Sequence, residues 1–223
     1  MCGRYTLRAR LNQLLQLYRV NSSLNWEPRY NIAPSQQVMA IRNQPDGRNR
    51  EAVLLRWGLI PPWADDPRIG YKMINARAET IAEKPSFKHA LKRRRCLIIT
   101  DGYYEWRKEG TTKQPYFIHM SDESLFVFAG LWEHWKKEDP PIDSCTIITT
   151  SPNELMAPLH NRMPVILPPD SAETWLDPDI EGPELLTTLL QPYPEDTLEA
   201  YPVSTLVNSP KHESSDCVEP LDD

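Results

Sequence analysis

The chain has 223 residues, of which 40% are hydrophobic, enough for one large domain or two small ones with a sizeable core. Its four cysteines form no CxxC pair, and no apolar run reaches signal-peptide or transmembrane length; these features argue against a disulfide framework and a membrane protein and predict a reduced, cytoplasmic chain. The net charge of −6 is uneven: residues 1–110 hold 20 Lys and Arg against 10 Asp and Glu (net +10), and residues 111–223 hold 5 against 21 (net −16). A basic half indicates polyanion binding, unless the two halves mix in one fold and neutralise each other.

Hydrophobic periodicity predicts short strands with helices between them. An amphipathic helix is predicted at 8–18, where Leu11, Leu14, Leu15 and Tyr18 recur at helical spacing. The predicted strands are 37–42, 52–57, 96–105, 115–120, 125–131, 145–150 and 163–167, and the later predicted helices are 76–84, 86–94 and 183–191. Because strands dominate, we expect an α+β fold: a single domain, residues 1–209, built on a curved, barrel-like mixed β-sheet with short peripheral helices. The polar, acidic residues 210–223 predict a disordered tail.

Cys2 offers a combination that no internal residue has. Once Met1 is removed, Cys2 carries a free α-amine beside its thiol. The amine has a reference pKa of about 7.7–8.0, so part of it is a neutral nucleophile near pH 7, and the thiol is strongly nucleophilic. An aldehyde can form a Schiff base with the nitrogen and then close with the sulfur into a thiazolidine ring. The alternative is that a cysteine stands at position 2 by chance.

Two further residues are candidates for proton transfer. Glu105 ends a predicted strand between Tyr104 and Trp106, whose rings could desolvate its carboxyl and raise its pKa; a solvated edge carboxylate is the alternative. His160 precedes the last predicted strand and is either a general acid or base or a structural loop residue. Arg162, two residues later, would share its face and suit an anionic ligand.

The remaining candidates are positions that could bind a ligand. Asn75 is either the N-cap of the predicted helix or a hydrogen-bond partner of substrate, with Arg77 beside it for a phosphate. Trp63 follows Pro-Pro and either stacks on a base or packs in the core. The basic run Arg93–Arg95 is either a binding patch or a solvated surface. The His and Cys spacings match no metal motif, and Gly is too scarce for a phosphate-binding loop, so no metal or cofactor is expected.

Taken together, these residues lie in blocks that resemble the SRAP family (SOS response-associated peptidase), the abasic-site processing proteins. The matching blocks are MCGRY, RYNIAPSQ, RWGLIPPWA, NARAET, PSFKHALKRRRCLIITDGYYEW, FAGLWE and HNRMPVIL. They span residues 1–167 in the family's order, about three quarters of the chain.

The resemblance implies a DNA-repair protein that recognises an abasic site in single-stranded DNA and links it covalently to its N-terminal cysteine. It also implies removal of its own Met1 and, if ring closure fails, an AP-lyase side reaction. The family's catalytic residues carry over onto Cys2, Asn75, Glu105 and His160, and its DNA-contacting arginines onto Arg4, Arg77 and Arg162. Abasic DNA is then the expected partner, bound by a monomer in the cytoplasm or on the nucleoid, with replication-fork proteins as further candidate partners.

Two other functions remain open at this point. An N-terminal-nucleophile peptidase or amidohydrolase would use Cys2 to attack an amide and would act without DNA. A non-catalytic reader of modified nucleic acid would bind DNA without needing the Cys2 thiol.

Overall fold

The structure is a computed structural model that describes residues 2–9, 12–20, 24–44, 47 and 49–221. Its strands are β1 (Arg4–Leu7), β2 (Arg29–Ile32), β3 (Gln37–Asn43), β4 (Arg50–Trp57), β5 (Asn75–Arg77), β6 (Arg95–Thr100), β7 (Gly102–Glu109), β8 (Thr112–Met120), β9 (Phe126–Trp135), β10 (Ile142–Thr150), β11 (Met163–Pro164) and β12 (Leu198–Pro202). Its α-helices are α1 (Asn12–Leu17), α2 (Lys88–Arg93), α3 (Pro169–Leu176) and α4 (Pro183–Thr188).

Strands of one sheet close into a barrel. Along the order β4-β3-β6-β9-β10 each strand pairs antiparallel with the next, and β10 returns to β4 in a parallel pairing. Strand β5 continues the β4 edge by pairing parallel with β10, and β11 pairs with the last residues of β10. The predicted α+β fold with a curved, barrel-like mixed sheet is therefore confirmed.

A second, antiparallel sheet has the order β12-β8-β7-β1-β2 and packs against the barrel through aromatic side chains. The ring of Tyr5 on β1 lies 6.0 Å from that of Phe128 on β9 and 5.4 Å from that of Trp57 on β4, both edge-on. Such edge-to-face contacts between large buried rings stabilise the junction of the two sheets. The first residues of the chain are thus held between the sheet and the barrel.

Several predicted elements have different bounds in the structure. The predicted strand 96–105 is two strands, broken at Asp101, whose carboxylate accepts a hydrogen bond from the Thr6 hydroxyl at 2.5 Å. The predicted helix 76–84 is wrong, because residues 75–77 form β5 against β10 before a single 3-10 turn. The helix predicted at 8–18 is limited to α1, and Leu11, with the side chain of Leu14, lies outside the described residues.

The C-terminal segment is packed, so the expectation of a disordered tail is wrong for residues 210–221. The Glu213 carboxylate accepts hydrogen bonds from the Arg29 guanidinium and from the Asn31 backbone N–H at 2.8 and 2.9 Å. Cys217 is fully buried, and Pro220 bridges to Val203. The buried Cys217 and the hydrogen bonds of Glu213 hold this segment in place despite its acidic composition.

The basic and acidic halves of the chain mix in this fold. Arg42 pairs with Asp143 at 2.9 Å, and Arg50 with Glu173 at 2.6 Å. Both sheets also contain strands from both halves of the chain. The +10 half is therefore not a separate basic domain, and DNA contacts must be argued from individual residues.

Candidate functional site

Cys2 is fully buried at the edge of the barrel, next to β5. The side-chain amide of Asn75 donates a hydrogen bond from Nδ2 to the Cys2 carbonyl oxygen, over 2.8 Å. Asn75 is fixed in turn because β5 pairs with β10, with Asn75 opposite Ile147. The other amide atom, Oδ1, is buried and has no hydrogen-bond partner among the described residues. Asn75 therefore fixes the backbone of Cys2 and keeps an acceptor for a further group, and it is not a helix N-cap.

Glu105 reaches the same place from β7. Strand β1 pairs with β7 so that Arg4 lies opposite Tyr104, which brings Glu105 beside the residues that precede β1. Its exposed fraction is 2%, so it is not a solvated edge carboxylate. Burial raises the pKa of the Glu105 carboxyl, since desolvation disfavours the charged form.

The charge of Glu105 acts on the Cys2 thiol. Burial raises the pKa of the Cys2 thiol, and the charge of Glu105 raises it further. The thiol is therefore protonated in this environment, and its ionisation requires a group that accepts the proton. Glu105 is such a group, because its own raised pKa brings it closer to neutral pH.

His160 lies in the loop before β11 and is partly buried. The backbone N–H of Arg162 donates to its Nδ1 at 3.0 Å, which leaves the proton of the neutral ring on Nε2. Partial burial lowers the pKa of His160, so the ring is neutral at pH 7. A neutral His with a defined tautomer can both donate and accept a proton.

The Arg162 side chain is engaged inside the protein. Its guanidinium forms a bidentate ion pair with the Glu79 carboxylate, with N···O distances of 2.5 and 2.9 Å, and also donates to the Thr149 carbonyl oxygen. The Arg162 hydrogen bond lowers the pKa of Glu79. Sequence reasoning missed Glu79, although it stands in the NARAET block two residues after Arg77. A DNA contact of Arg162 would have to share the guanidinium with this carboxylate.

Arg77 and Trp63 are exposed. Arg77 is two residues beyond Asn75 on β5, so both side chains are on one face of the strand. Trp63, with an exposed fraction of 55%, belongs to the loop that leads from β4 towards β5. Two segments of this loop approach each other closely at Gly58 and Gly70. A Cβ on Gly58 would lie 2.7 Å from the Gly70 carbonyl oxygen, and Gly58 has a φ of +127°, which favours glycine. Trp63 is thus not a core residue. It lies away from Cys2, because the carbonyl oxygen of its neighbour Ala64 accepts a hydrogen bond from Trp135, which is opposite the start of β10, whereas Asn75 pairs further along that strand.

Arg4 is another predicted site residue that the structure does not bring to this place. It lies opposite Tyr104, so the alternation along β7 puts it on the other face from Glu105. Its guanidinium donates to Asn31 Oδ1 at 2.8 Å and to the carbonyl oxygens of Val207 and Asn208 at 2.7 and 3.1 Å. Its role as a DNA contact stays a prediction.

The site thus has two parts, which we call the floor and the rim. The floor consists of the buried Cys2 and Glu105 with the partly buried Asn75, and the rim is formed by the exposed Arg77. Among the described residues, no group of three or more His, Cys, Asp or Glu side chains could hold a metal ion. No helix in the described part of the chain is long and apolar enough to cross a membrane.

Comparison with known proteins identifies relatives over nearly the whole chain. The family model for SOS response associated peptidases (SRAP) matches residues 1–210. "Abasic site processing protein YoqW" of Bacillus subtilis (strain 168) is 50% identical, over 98% of this chain and 99% of that protein. "Abasic site processing protein HMCES" of Gallus gallus is 36% identical, over 88% of this chain and 67% of that protein. A crystal structure of a protein from Bacteroides thetaiotaomicron superposes with a TM-score of 0.88 at 29% identity, over 99% of this chain and 100% of that one.

Proposed function

The chain belongs to the SOS response associated peptidase (SRAP) family, and from this membership and the geometry of the floor we propose that it processes abasic sites in single-stranded DNA. After removal of Met1, the Cys2 amine and thiol bond covalently to the abasic sugar as a thiazolidine. The link shields the site from strand cleavage while the DNA is repaired. The protein acts as a monomer in the cytoplasm, on nucleoid DNA.

The reaction begins at the sugar aldehyde. An abasic deoxyribose is mostly a closed hemiacetal, and His160 assists its opening by moving a proton at the ring oxygen. The α-amine of Cys2 then attacks C1′ to give a carbinolamine, which loses water to form an iminium. Glu105 shuttles the protons of these steps, for which its raised pKa suits it. Finally the Cys2 sulfur attacks C1′ and closes the ring.

The observation that carries the proposal is that Cys2, Asn75 and Glu105, which are far apart in the sequence, come together in the floor. The 2.8 Å hydrogen bond between Asn75 and the Cys2 carbonyl oxygen fixes the residue whose amine must attack. A buried carboxyl with a raised pKa stands beside the same residue, from a strand about a hundred positions later. A nucleophile, an orienting group and a proton carrier held in one place lower the entropic cost of the reaction.

Two accompanying activities follow from the same groups. Hydrolysis of the Met1–Cys2 bond by the floor residues would expose the amine, which accounts for a peptidase activity directed at the chain itself. An iminium that does not close can lose the 3′ phosphate by β-elimination, which gives an AP-lyase side reaction. Neither activity requires a metal or a cofactor.

The rim and two residues outside it supply the binding contacts. Arg77 lies on the same face of β5 as Asn75, so a phosphate bound by its guanidinium would lie next to the floor. Trp63, outside the rim, offers an exposed indole on which a base further along the strand can stack, a contact worth about 1–3 kcal/mol per base. Arg162, together with Glu79, lies next to His160 and could bind a second phosphate.

An intact-mass spectrum of the mature protein mixed with an abasic single-stranded oligonucleotide tests the proposal. We expect one product at the sum of the two masses minus one water, stable to heat and denaturant. An undamaged oligonucleotide of the same sequence is the control. Absence of the adduct, with turnover of a small amide substrate instead, would favour an amidohydrolase; DNA binding without an adduct would favour a non-catalytic reader.

A further inference from the structure

Two buried tyrosines beside the floor stand opposite each other on neighbouring strands. Tyr5 and Tyr103 are directly opposite each other in the β1–β7 pairing, and both are fully buried. The ring of Tyr103 packs edge-on against Phe128 at 5.8 Å, as does that of Tyr5 at 6.0 Å. Neither phenol hydroxyl has a hydrogen-bond partner among the described residues. Buried hydroxyls without a partner are rare in folded proteins, because they lose their hydrogen bonds to water.

The neighbouring Tyr104 shows that this is not a general property of the strand. Its side chain points to the opposite face of β7, and its hydroxyl donates to the Tyr30 carbonyl oxygen at 2.7 Å. The free phenols are therefore confined to the side of the strand on which Glu105 lies. That side is the one where the chemistry of Cys2 is proposed to occur.

Of the two tyrosines, Tyr103 is the one whose hydroxyl interacts electrostatically with both Cys2 and Glu105. It is two residues from Glu105 on one strand, so both side chains leave β7 on the same face. Burial raises the pKa of Tyr103, and the next causes are the charges of Cys2 and of Glu105. For Tyr5 the charge of Cys145 comes before that of Cys2, and Glu105 is not among the causes. The Tyr103 hydroxyl thus stays protonated at any physiological pH and is a permanent donor.

The least stable species in the proposed reaction is the Cys2 thiolate, because burial and the Glu105 charge both oppose it. One donor already favours it: a hydrogen bond from the Arg4 backbone lowers the pKa of the Cys2 thiol, by less than burial raises it. A thiolate can accept more than one hydrogen bond. A second donor on its buried side would complete a site for the negative sulfur, in the manner of the donors that stabilise developing charge in other enzymes.

We propose that the Tyr103 hydroxyl is this second donor, and that it accelerates ring closure by hydrogen bonding to the Cys2 sulfur as its negative charge develops. The inference rests on the proposed function. In this step the S–H proton passes to the Glu105 carboxylate, a sulfur electron pair forms the bond to C1′, and the C=N π pair returns to nitrogen. Tyr103 keeps its own proton, and no oxidant or further reactant takes part.

The test compares Tyr103→Phe with the wild type and with a matched control, Tyr104→Phe. Tyr103→Phe keeps the ring that packs on Phe128 and removes a hydroxyl without a hydrogen bond, so the fold is retained, which thermal melting checks. Each mature protein is mixed with one abasic oligonucleotide and sampled over time. Borohydride trapping measures the iminium, and heating without borohydride measures the closed thiazolidine.

In Tyr103→Phe we expect the iminium to form within twofold of the wild-type rate and ring closure to be about tenfold slower, the effect of losing one hydrogen bond to a charged group. The trapped iminium should accumulate, whereas a general distortion of the site would slow both steps. Tyr104→Phe should match the wild type in both steps, although it loses a hydrogen bond in the fold.

Two results would overturn the inference and are distinguishable from each other. If the wild type forms an adduct and Tyr103→Phe closes the ring at the same rate, or slows both steps equally, the role of Tyr103 is wrong and the proposed function stands. If the wild type forms neither iminium nor thiazolidine, the proposed function fails and the inference fails with it.

Discussion

The floor and the rim of the site differ in their contact with water, and this difference separates chemistry from binding. Cys2 and Glu105 in the floor are 0% and 2% exposed, whereas Arg77 in the rim is exposed. In the floor, burial raises the pKa of both ionisable groups. The exposed guanidinium of Arg77 is surrounded by water and can supply a binding contact instead.

This contrast predicts where each kind of substitution acts. Charges and hydrogen bonds are strong in a buried place, so floor variants should change reaction rates by large factors. Contacts at an exposed rim are screened by water and salt, so rim variants should change affinity by small factors. A floor variant that alters only affinity, or a rim variant that alters only the rate, would break the distinction.

Cys2→Ser should give the largest effect. The variant keeps an α-amine after Met1 removal, so a Schiff base trappable by borohydride should still form. The stable adduct should be absent, because an oxazolidine is less stable than a thiazolidine. Denaturing gels with and without borohydride make the measurement, and a heat-stable adduct of Cys2→Ser would refute the ring-closing role of the thiol.

Glu105→Gln should slow crosslinking by about 10²–10⁴-fold, the usual contribution of a general acid or base. The side-chain size is kept, so affinity for abasic DNA should change little. Burial raises the pKa of Glu105, so the wild-type rate should rise with pH through a limb above the ordinary carboxyl range, where the carboxylate forms. This limb should be missing in Glu105→Gln. A rate within twofold of the wild type would leave Glu105 a structural residue.

Arg77→Ala should give the smallest effect, and on affinity. Loss of one phosphate contact should weaken binding to single-stranded DNA regardless of sequence and flatten the dependence of log affinity on log salt by about 0.7. The crosslinking rate at saturating DNA should stay near that of the wild type. Titrations at several salt concentrations measure the slope, and an unchanged slope would remove Arg77 from the DNA-contacting residues.

The sequence alone predicts those residues and strands whose role depends on their immediate neighbours in the chain. Cys2 stands out by its position alone, and the aromatic neighbours of Glu105 pointed to a desolvated carboxyl as one of two alternatives, the one that the structure has. The barrel strands β3, β4 and β10 are apolar runs that periodicity detects within a few residues.

The sequence failed where long-range pairing decides the structure. Residues 75–77 have a helical composition, but pairing with β10 makes them a strand, and this pairing brings Asn75 to Cys2. The acidic C-terminal segment is ordered because Glu213 meets the backbone N–H of Asn31, about 180 residues earlier, and no local pattern reveals such a contact. The Glu79 partner of Arg162 was missed for the same reason.

The central claim is that the nucleophile is the α-amine of Cys2, and blocking that amine tests it most directly. One non-removable residue placed before Cys2 converts the amine into an amide, which is not nucleophilic, and leaves the thiol to form only a reversible hemithioacetal. Intact-mass spectra of the blocked and the mature protein, each mixed with the same abasic oligonucleotide, make the comparison. We predict no covalent adduct from the blocked protein, with salt-dependent DNA binding retained. An adduct formed as fast by the blocked protein as by the mature one would contradict the account and require an internal lysine or cysteine as the attacking group.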